Sequence, residues 1–531
     1  MFQKTPNFVL AIISALLLTA SWFYPGTILL FFAWVPLFVL EDNISTSTSV
    51  SKKQLSITGL SYFTFFVWNL CVTWWIYFAS FGGAVMAIVS NSLLMCTVFV
   101  IWSKLKNRVN KPWAIWLFIP LWLGFEYGHT LWDLTWTWLT LGNAFANMHK
   151  WVQWYEFTGT SGGSMWVLIV NVLIFQLIKN KDFALKKVIA PLAIIIIPII
   201  ISYVILHVRS SNTDDKAISY KTVVVQPNVD PYNEKFYFEP EVQLHNLLTQ
   251  LNHQLDSTVD FLVLPETYLT ENVFEGKENQ SYSFHFLRDS ILKLYPNLTI
   301  VTGATTMYAY KPNEKISATA SKFSDADMYY DSYNTGLQLN NEGFVYYHKS
   351  KLVPGVEKMP FPILFKPLEK LAINLGGTMG SLGTQNERTV FYSHDKKVGI
   401  APVICYESVY PDYVAQYIRN GANLIFILTN DGWWENTPGH KQHLAYAKLR
   451  AIETRCEIVR CANTGISCFI TAFGEIEQAT TYWEKAIITK KVTPNNSKTF
   501  FVQFGDLVSY SSSILAILLV IWSQILRFKK N

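Results

Sequence analysis

Charge is scarce in this chain: only 15% of its 531 residues are Asp, Glu, Lys or Arg, and 43 basic against 38 acidic residues leave a net +5. So small and scattered a surplus gives no electrostatic footprint for a nucleic acid, and none is expected as a partner. Cysteine is scarce too, six in all, without a CxxC pair or a Cys/His spacing that zinc would take, so neither a metal nor another cofactor is expected. Internal repeats and low-complexity tracts are missing. Over long blocks of the first 207 and last 25 positions even polar residues are few, whereas the stretch between has the mixed composition of a water-soluble domain. These deficits exclude both a disordered chain and a single soluble globule.

What fills the ends is apolar. A helix needs about 20 mainly apolar residues to cross a bilayer. Eight stretches are read as spans, near 7–23, 26–40, 56–78, 83–103, 112–128, 162–178, 188–207 and 508–526. Lys52 and Lys53, the group Lys104 to Lys111, the group Lys179 to Lys187, and Arg527, Lys529 and Lys530 follow every second span, while the alternate connections hold almost no Lys or Arg. The positive-inside rule then places both termini in the cytoplasm. The expected organisation is seven spans in 1–207, an extracytoplasmic domain in 208–506, and the eighth span with a short tail in 507–531. The first apolar block has no small-x-small cleavage site followed by a polar start, so it reads as a retained helix. Trp132, Trp136, Trp138, Trp151 and Trp154 crowd the connection 129–161 and suit the bilayer interface, while Glu156 needs a partner there.

From Lys221 onward short β-branched runs alternate with helical stretches. TVVVQ, DFLVLPE, LTIVTGATT, GLQLN, RTVFYS, KVGIAPVIC, ANLIFILTN, EIVRCAN and SCFITAF read as strands, several apolar throughout as strands covered on both faces are. Helical periodicity falls near 239–255, 283–294, 410–420 and 440–455. The alternation argues a layered α/β or α+β domain, and the order of elements suits two sheets sandwiched between helices.

Three residues stand out by where the strands end. Cys405 closes KVGIAPVIC just before a helical stretch, a turn that holds a side chain at the sheet edge with backbone N–H groups near it. Alone it would more often be a buried structural thiol. Glu266 closes FLVLPE, where desolvation is expected to raise its pKa and make it a better proton acceptor; alone it would be a turn carboxylate. Lys349, in GFVYYHKSKLVP, would by default be a surface lysine. Together they form a base, a cation for a developing oxyanion, and a nucleophile. Cys456, Cys461 and Cys468 are either buried free thiols or partners in a disulfide.

The series LPE, HKSKLVP and CYES resembles the nitrilase superfamily, whose catalytic set is Glu, Lys and Cys on an αββα sandwich. With the apolar spans, WYEFTGTSGGSMWVLIVN, VVVQPNVDPYNEKF, NDGWWENTPGHKQHLAYAKLRAIETR and VRCANTGIS, nearly the whole chain is similar to the apolipoprotein N-acyltransferase family. That resemblance implies Glu266 as general base, Lys349 as oxyanion-stabilising cation and Cys405 as nucleophile. It implies supporting roles for Glu357 and Glu407, which would position Lys349 or the substrate amine, and places Tyr406 and Trp433 beside the acyl-accepting site. Phe236 stands where the family often has Trp, and Lys351 where it has His. The implied partners are a phospholipid acyl donor, usually phosphatidylethanolamine, and a diacylglyceryl apolipoprotein acceptor, met at the lipid bilayer on the periplasmic side of a bacterial inner membrane. An amidase using water as acceptor, or a scaffold with an inactive domain, remain the competing readings.

Overall fold

The computed structural model describes residues 5–47, 52–210, 218–235, 239–251, 253–358 and 381–528. Phe236 and the terminal Lys529 and Lys530 therefore lie outside the described residues. The chain divides into two compact units. One comprises Met1–Ile76, Ala84–Asn212 and Phe504–Asn531; the other comprises Thr213–Gln503 together with Tyr77–Gly83, a short stretch between two apolar helices of the sequence.

The first unit is helical. Among the described residues six helices are long and apolar enough to cross a membrane: Gly26–Thr46, Lys53–Thr73, Phe81–Val109, Tyr155–Asn180, Leu185–Ser210 and Leu507–Leu526. The remaining two expected spans are helical but shorter. Asn7–Ala20 has 14 residues, and Phe118–Gly128 has 11 after a tighter turn over Pro112–Leu117. Leu185–Ser210 keeps Pro191 and Pro198 inside it and leaves Ile196, Ile197, Ile200 and Ile201 about half exposed. An apolar face of that kind is stable only against lipid or another apolar surface.

Aromatic rings fill the unit's interior. Trp34, Trp68, Trp102, Trp122 and Trp138 are fully buried, and Trp34 meets Trp122 edge-on at 4.5 Å between centroids. Trp132 is exposed, whereas Trp138 is a core side chain stacked on Trp136 at 5.4 Å, so the tryptophan-rich connection does not lie on one surface. Glu156 finds its partner in Arg209 at 3.0 Å. Gly124 lets helix Leu507–Phe528 come close, since a Cβ there would sit 2.8 Å from the Ala516 Cβ.

The second unit carries fourteen strands among the described residues. In chain order they are β1 (Tyr220–Gln226), β2 (Phe261–Val263), β3 (Leu269–Phe274), β4 (Thr299–Ala309), β5 (Ser321–Lys322), β6 (Tyr329–Asn340), β7 (Gly343–His348), β8 (Phe391–Tyr392), β9 (Gly399–Ile404), β10 (Leu424–Thr429), β11 (Ile458–Ala462), β12 (Cys468–Ile470), β13 (Ile476–Glu477) and β14 (Ala486–Val492). One sheet runs β14-β1-β2-β4-β6-β5 with β3 on β4 and β7 on β6; the other runs β13-β12-β11-β10-β9-β8. Their inner faces meet where Phe261 packs edge-on against Phe426 at 5.4 Å and the Cys461 thiol reaches the Val225 and Val263 carbonyls. Helices Pro240–Leu251 and Tyr282–Leu287 cover the first sheet through Leu244, Leu247, Phe284 and Leu287. Pro411–Arg419 and Pro438–Thr454 cover the second, which is why β9, β10 and β11 are buried at every position.

This is the expected sandwich, with β3, β5, β13 and β14 added to the strands read from the sequence. β14, whose lysines disguise it, pairs antiparallel with β1 and closes one edge. The helix expected over 239–255 ends at Leu251. All six cysteines are free, so Cys456, Cys461 and Cys468 are buried thiols.

Candidate active site

Cys405 follows β9 directly and opens the tight helical turn Cys405–Val409. Its φ of +48° is left-handed, a strained conformation for a residue with a side chain. The turn is held from behind. Ser408 Oγ donates to the Cys405 carbonyl at 2.7 Å, His443 Nε2 lies 3.1 Å from that same oxygen, and Asp431 bridges His443 at 3.0 Å and Arg460 at 2.6 Å. Burial pushes the Cys405 thiol well above its usual range, the negative charge of Glu266 adds to this, and Lys349 opposes it. At rest the group is therefore a thiol that needs a base.

From the end of β2 a carboxylate comes to the cavity that Cys405 lines. Leu264 and Pro265 continue the strand's bonding to β4, and Glu266 comes next. Gly303 in β4 is required here: a Cβ would lie 2.2 Å from the Thr267 nitrogen and 2.6 Å from the Glu266 Cα. Lys349 follows β7, and its Nζ lies 2.9 Å from Glu266 Oε1 and 2.8 Å from Glu357 Oε1. Asn334 in β6 stands beside Lys349 in the ladder and donates from Nδ2 to Glu266 at 2.8 Å and to Glu357 at 3.2 Å. The second Glu357 oxygen accepts from the Val353 amide.

The electrostatics correct one expectation. Burial pushes the Glu266 carboxyl up most strongly, but the Lys349 ammonium, Lys235 and the Asn334 amide together outweigh it, and the net shift is downward rather than the rise read from desolvation alone. The two carboxylates hold Lys349 well above the usual lysine range despite its burial. Glu266 is thus an ionised acceptor and Lys349 a fixed cation.

Glu266, Lys349, Cys405, Glu357 and Trp433 line one cavity of about 370 Å³, joined by Trp434, Tyr333, Asn334 and Ala79. Tyr232 supports the wall, its hydroxyl 2.9 Å from the Trp433 carbonyl and its ring edge-on to the indole. Glu407 and Tyr406 do not line the cavity. The Glu407 carboxylate accepts from Tyr347, Tyr413, the Ser350 amide and the Ile404 amide, so it ties the residue after Lys349 to the residue before Cys405. Tyr406 is buried edge-on against Tyr410.

Sequence reasoning missed Asn334, Trp434 and the buried Lys235, which reaches the Glu266 carbonyl at 3.0 Å. Asn334 carried no signal of its own, being one of several polar residues in YYDSYNTGLQLN. The arrangement can transfer a proton from thiol to carboxylate and present an ammonium to an oxyanion formed at the thiol. Among the described residues no group of three or more His, Cys, Asp or Glu side chains is placed to hold a metal ion.

Two family models match. Carbon-nitrogen hydrolase covers residues 222–499, and Apolipoprotein N-acyltransferase N-terminal domain covers residues 14–173. The apolipoprotein N-acyltransferase of Chlorobaculum tepidum is 29% identical over 516 residues, spanning 95% of this chain and 94% of its own length. That of Rickettsia prowazekii is 27% identical over 458 residues, spanning 84% of this chain and 82% of its own length. Among solved structures, a Saccharomyces cerevisiae member of branch 10 of the nitrilase superfamily aligns with 52% of this chain and 90% of its own at 17% identity and a TM-score of 0.37.

Proposed function

The chain belongs to the carbon-nitrogen hydrolase family, and from that premise we propose that it is a bacterial membrane enzyme that moves an acyl chain from a phospholipid, through a Cys405 thioester, to the N-terminal amine of a diacylglyceryl-cysteine apolipoprotein. The observation that carries the reading is the meeting of Cys405, Glu266 and Lys349 in one cavity, in a chain whose relatives, named apolipoprotein N-acyltransferase, align along nearly its whole length.

In the first half-reaction Glu266 takes the Cys405 proton and the thiolate attacks the donor's ester carbonyl. Lys349 and nearby backbone N–H groups hold the oxyanion, and its collapse breaks the ester C–O bond as Glu266 returns the proton to the departing oxygen of the lysophospholipid. In the second, the acceptor's free amine attacks the thioester and leaves as an amide, returning the thiol. The kinetics are ping-pong. Glu357 and Asn334 hold Lys349 and Glu266 in register, Glu407 fixes the turn after Lys349, Tyr406 packs behind the nucleophile, and Trp433 borders the space for the acyl group. Phe236 keeps the substrate-side role that the family resemblance implies.

Both substrates carry chains whose removal into water costs about 0.8 kcal/mol per methylene, so the chemistry belongs at a bilayer surface. We assign eight spans, the six long helices plus Asn7–Ala20 and the Pro112–Gly128 stretch, with both termini cytoplasmic and the catalytic unit periplasmic.

Incubation of the detergent-purified protein with labelled phosphatidylethanolamine and a diacylglyceryl-cysteine peptide tests the reading. Labelled amide on the peptide is expected. Release of free fatty acid with no amide would instead favour water as the acceptor and an amidase-like enzyme.

A further inference from the structure

A second buried ammonium lies beside the thiol site. A compact turn brings it there: Asp230 accepts from the Glu234 and Lys235 amides through its carbonyl and from the Tyr232 and Asn233 amides through its carboxylate. Lys235 emerges from that turn 3% exposed. Its Nζ lies 3.0 Å from the Glu266 carbonyl oxygen and 3.1 Å from Thr267 Oγ1. Thr267 has a left-handed φ of +49°, so the backbone just after Glu266 is strained and needs holding. Gly303 meets that turn from β4 and Lys235 meets it as well.

We infer that Lys235 is a positioning residue of the thiol site, holding the Glu266–Thr267 turn in place and setting a second buried positive charge beside the carboxylate that takes the Cys405 proton. Glu266 is faced by Lys349, Lys235 and the Asn334 amide, and Cys405 by Glu266, Lys349 and Asp431, while Lys349 also carries Glu357. Burial pushes Glu266 up; Lys349, then Lys235, bring it down. Burial also pushes Lys235 itself down to about 8, so it is mostly charged at neutral pH and helps keep Glu266 ionised. Without that charge Glu266 rises, and more of it is protonated and unable to act as base at mildly acidic pH.

The inference rests on the proposed acylation of Cys405 with Glu266 as base. Its test is the rate of single-turnover Cys405 acylation by a short-chain phosphatidylethanolamine, followed by intact mass across pH in the full-length protein. Lys235→Met is expected to move the acid limb of the profile upward by about one unit, so that the loss of acylation rate is confined to mildly acidic pH. Lys235→Gln, which keeps a hydrogen-bond donor near the carbonyl but no charge, should move the limb the same way. Lys235→Arg should leave it near that of the unsubstituted protein. An acid limb unmoved in both neutral variants, whatever their rates, overturns the charge role and with it the inference. An unsubstituted protein that takes no acyl group overturns the acylation reading and this inference together.

Discussion

Both units bury a carboxylate against a lysine, and the difference between the two pairs separates an ion pair enclosed on all sides from one that lines a cavity. In the helical unit Glu41 is fully enclosed, its oxygens taken by Ser45, Ser103, Asn107 and Lys106. In the sandwich unit Glu266 and Lys349 are nearly as buried, yet they line a cavity that also holds a thiol, and Lys349 is shared with a second carboxylate, Glu357. Burial and pairing alone do not mark a site. A cavity that also holds a thiol marks a candidate one.

The comparison can be broken most severely at the sulfur. Cys405→Ala should lower acyl transfer at least ~10³-fold while the far-ultraviolet circular dichroism stays that of the folded protein. A variant that kept most of its transfer rate would move the chemistry elsewhere. Next comes the shared cation. Lys349→Met leaves Glu266 and Glu357 facing each other without their ammonium and should cost about 3–5 kcal/mol of stability in denaturant titration, with loss of transfer. A melt unchanged from that of the unsubstituted protein would mean that the three groups are not packed as described.

The matching substitution in the other unit sharpens the contrast. Glu41→Gln should cost about 1–3 kcal/mol by the same titration, because Lys106 and Ser103 lose a charged acceptor, yet leave the rate of Cys405 acylation unaltered. A fall in that rate without loss of fold would tie the helical pair to the reaction.

The smallest effect expected is on acid stability. Glu266 is held below its ordinary range, so its contribution is complete above about pH 4.3 and is lost as the pH falls through its lowered value. Lys349 is held above its range, so its contribution survives until strongly alkaline pH. Stability measured from neutral pH downward should therefore fall more steeply below about pH 4.3 in the unsubstituted protein than in Glu266→Gln. Equal slopes would contradict the direction assigned to Glu266.

The sandwich and the meeting of Glu266, Lys349 and Cys405 at one cavity were legible because each of the three follows a strand, and strand ends can be read from runs of β-branched residues. Their company was not. Asn334 reaches Glu266 because β6 pairs with β4 and β4 with β2, and Lys235 reaches it across 31 residues of sequence. The same blindness reversed the direction of Glu266: a sequence shows that FLVLPE is apolar but not that an ammonium lies 2.9 Å away. In the helical unit hydropathy located the apolar blocks, while the tight turn over Pro112–Leu117 shortened a helix that composition alone drew longer. β14 escaped notice because the adjacent Lys490 and Lys491 interrupt its apolar run, AIITKKV.

The central claim is that the thiol of Cys405 carries the acyl group. Intact-mass analysis of the detergent-purified protein after incubation with phosphatidylethanolamine, followed by peptide mapping, tests it directly. The account expects one fatty-acyl adduct on the peptide containing Cys405, removed by neutral hydroxylamine and by an added diacylglyceryl-cysteine peptide. An adduct resistant to hydroxylamine, or an amide product formed with Cys405 never acylated, would contradict it.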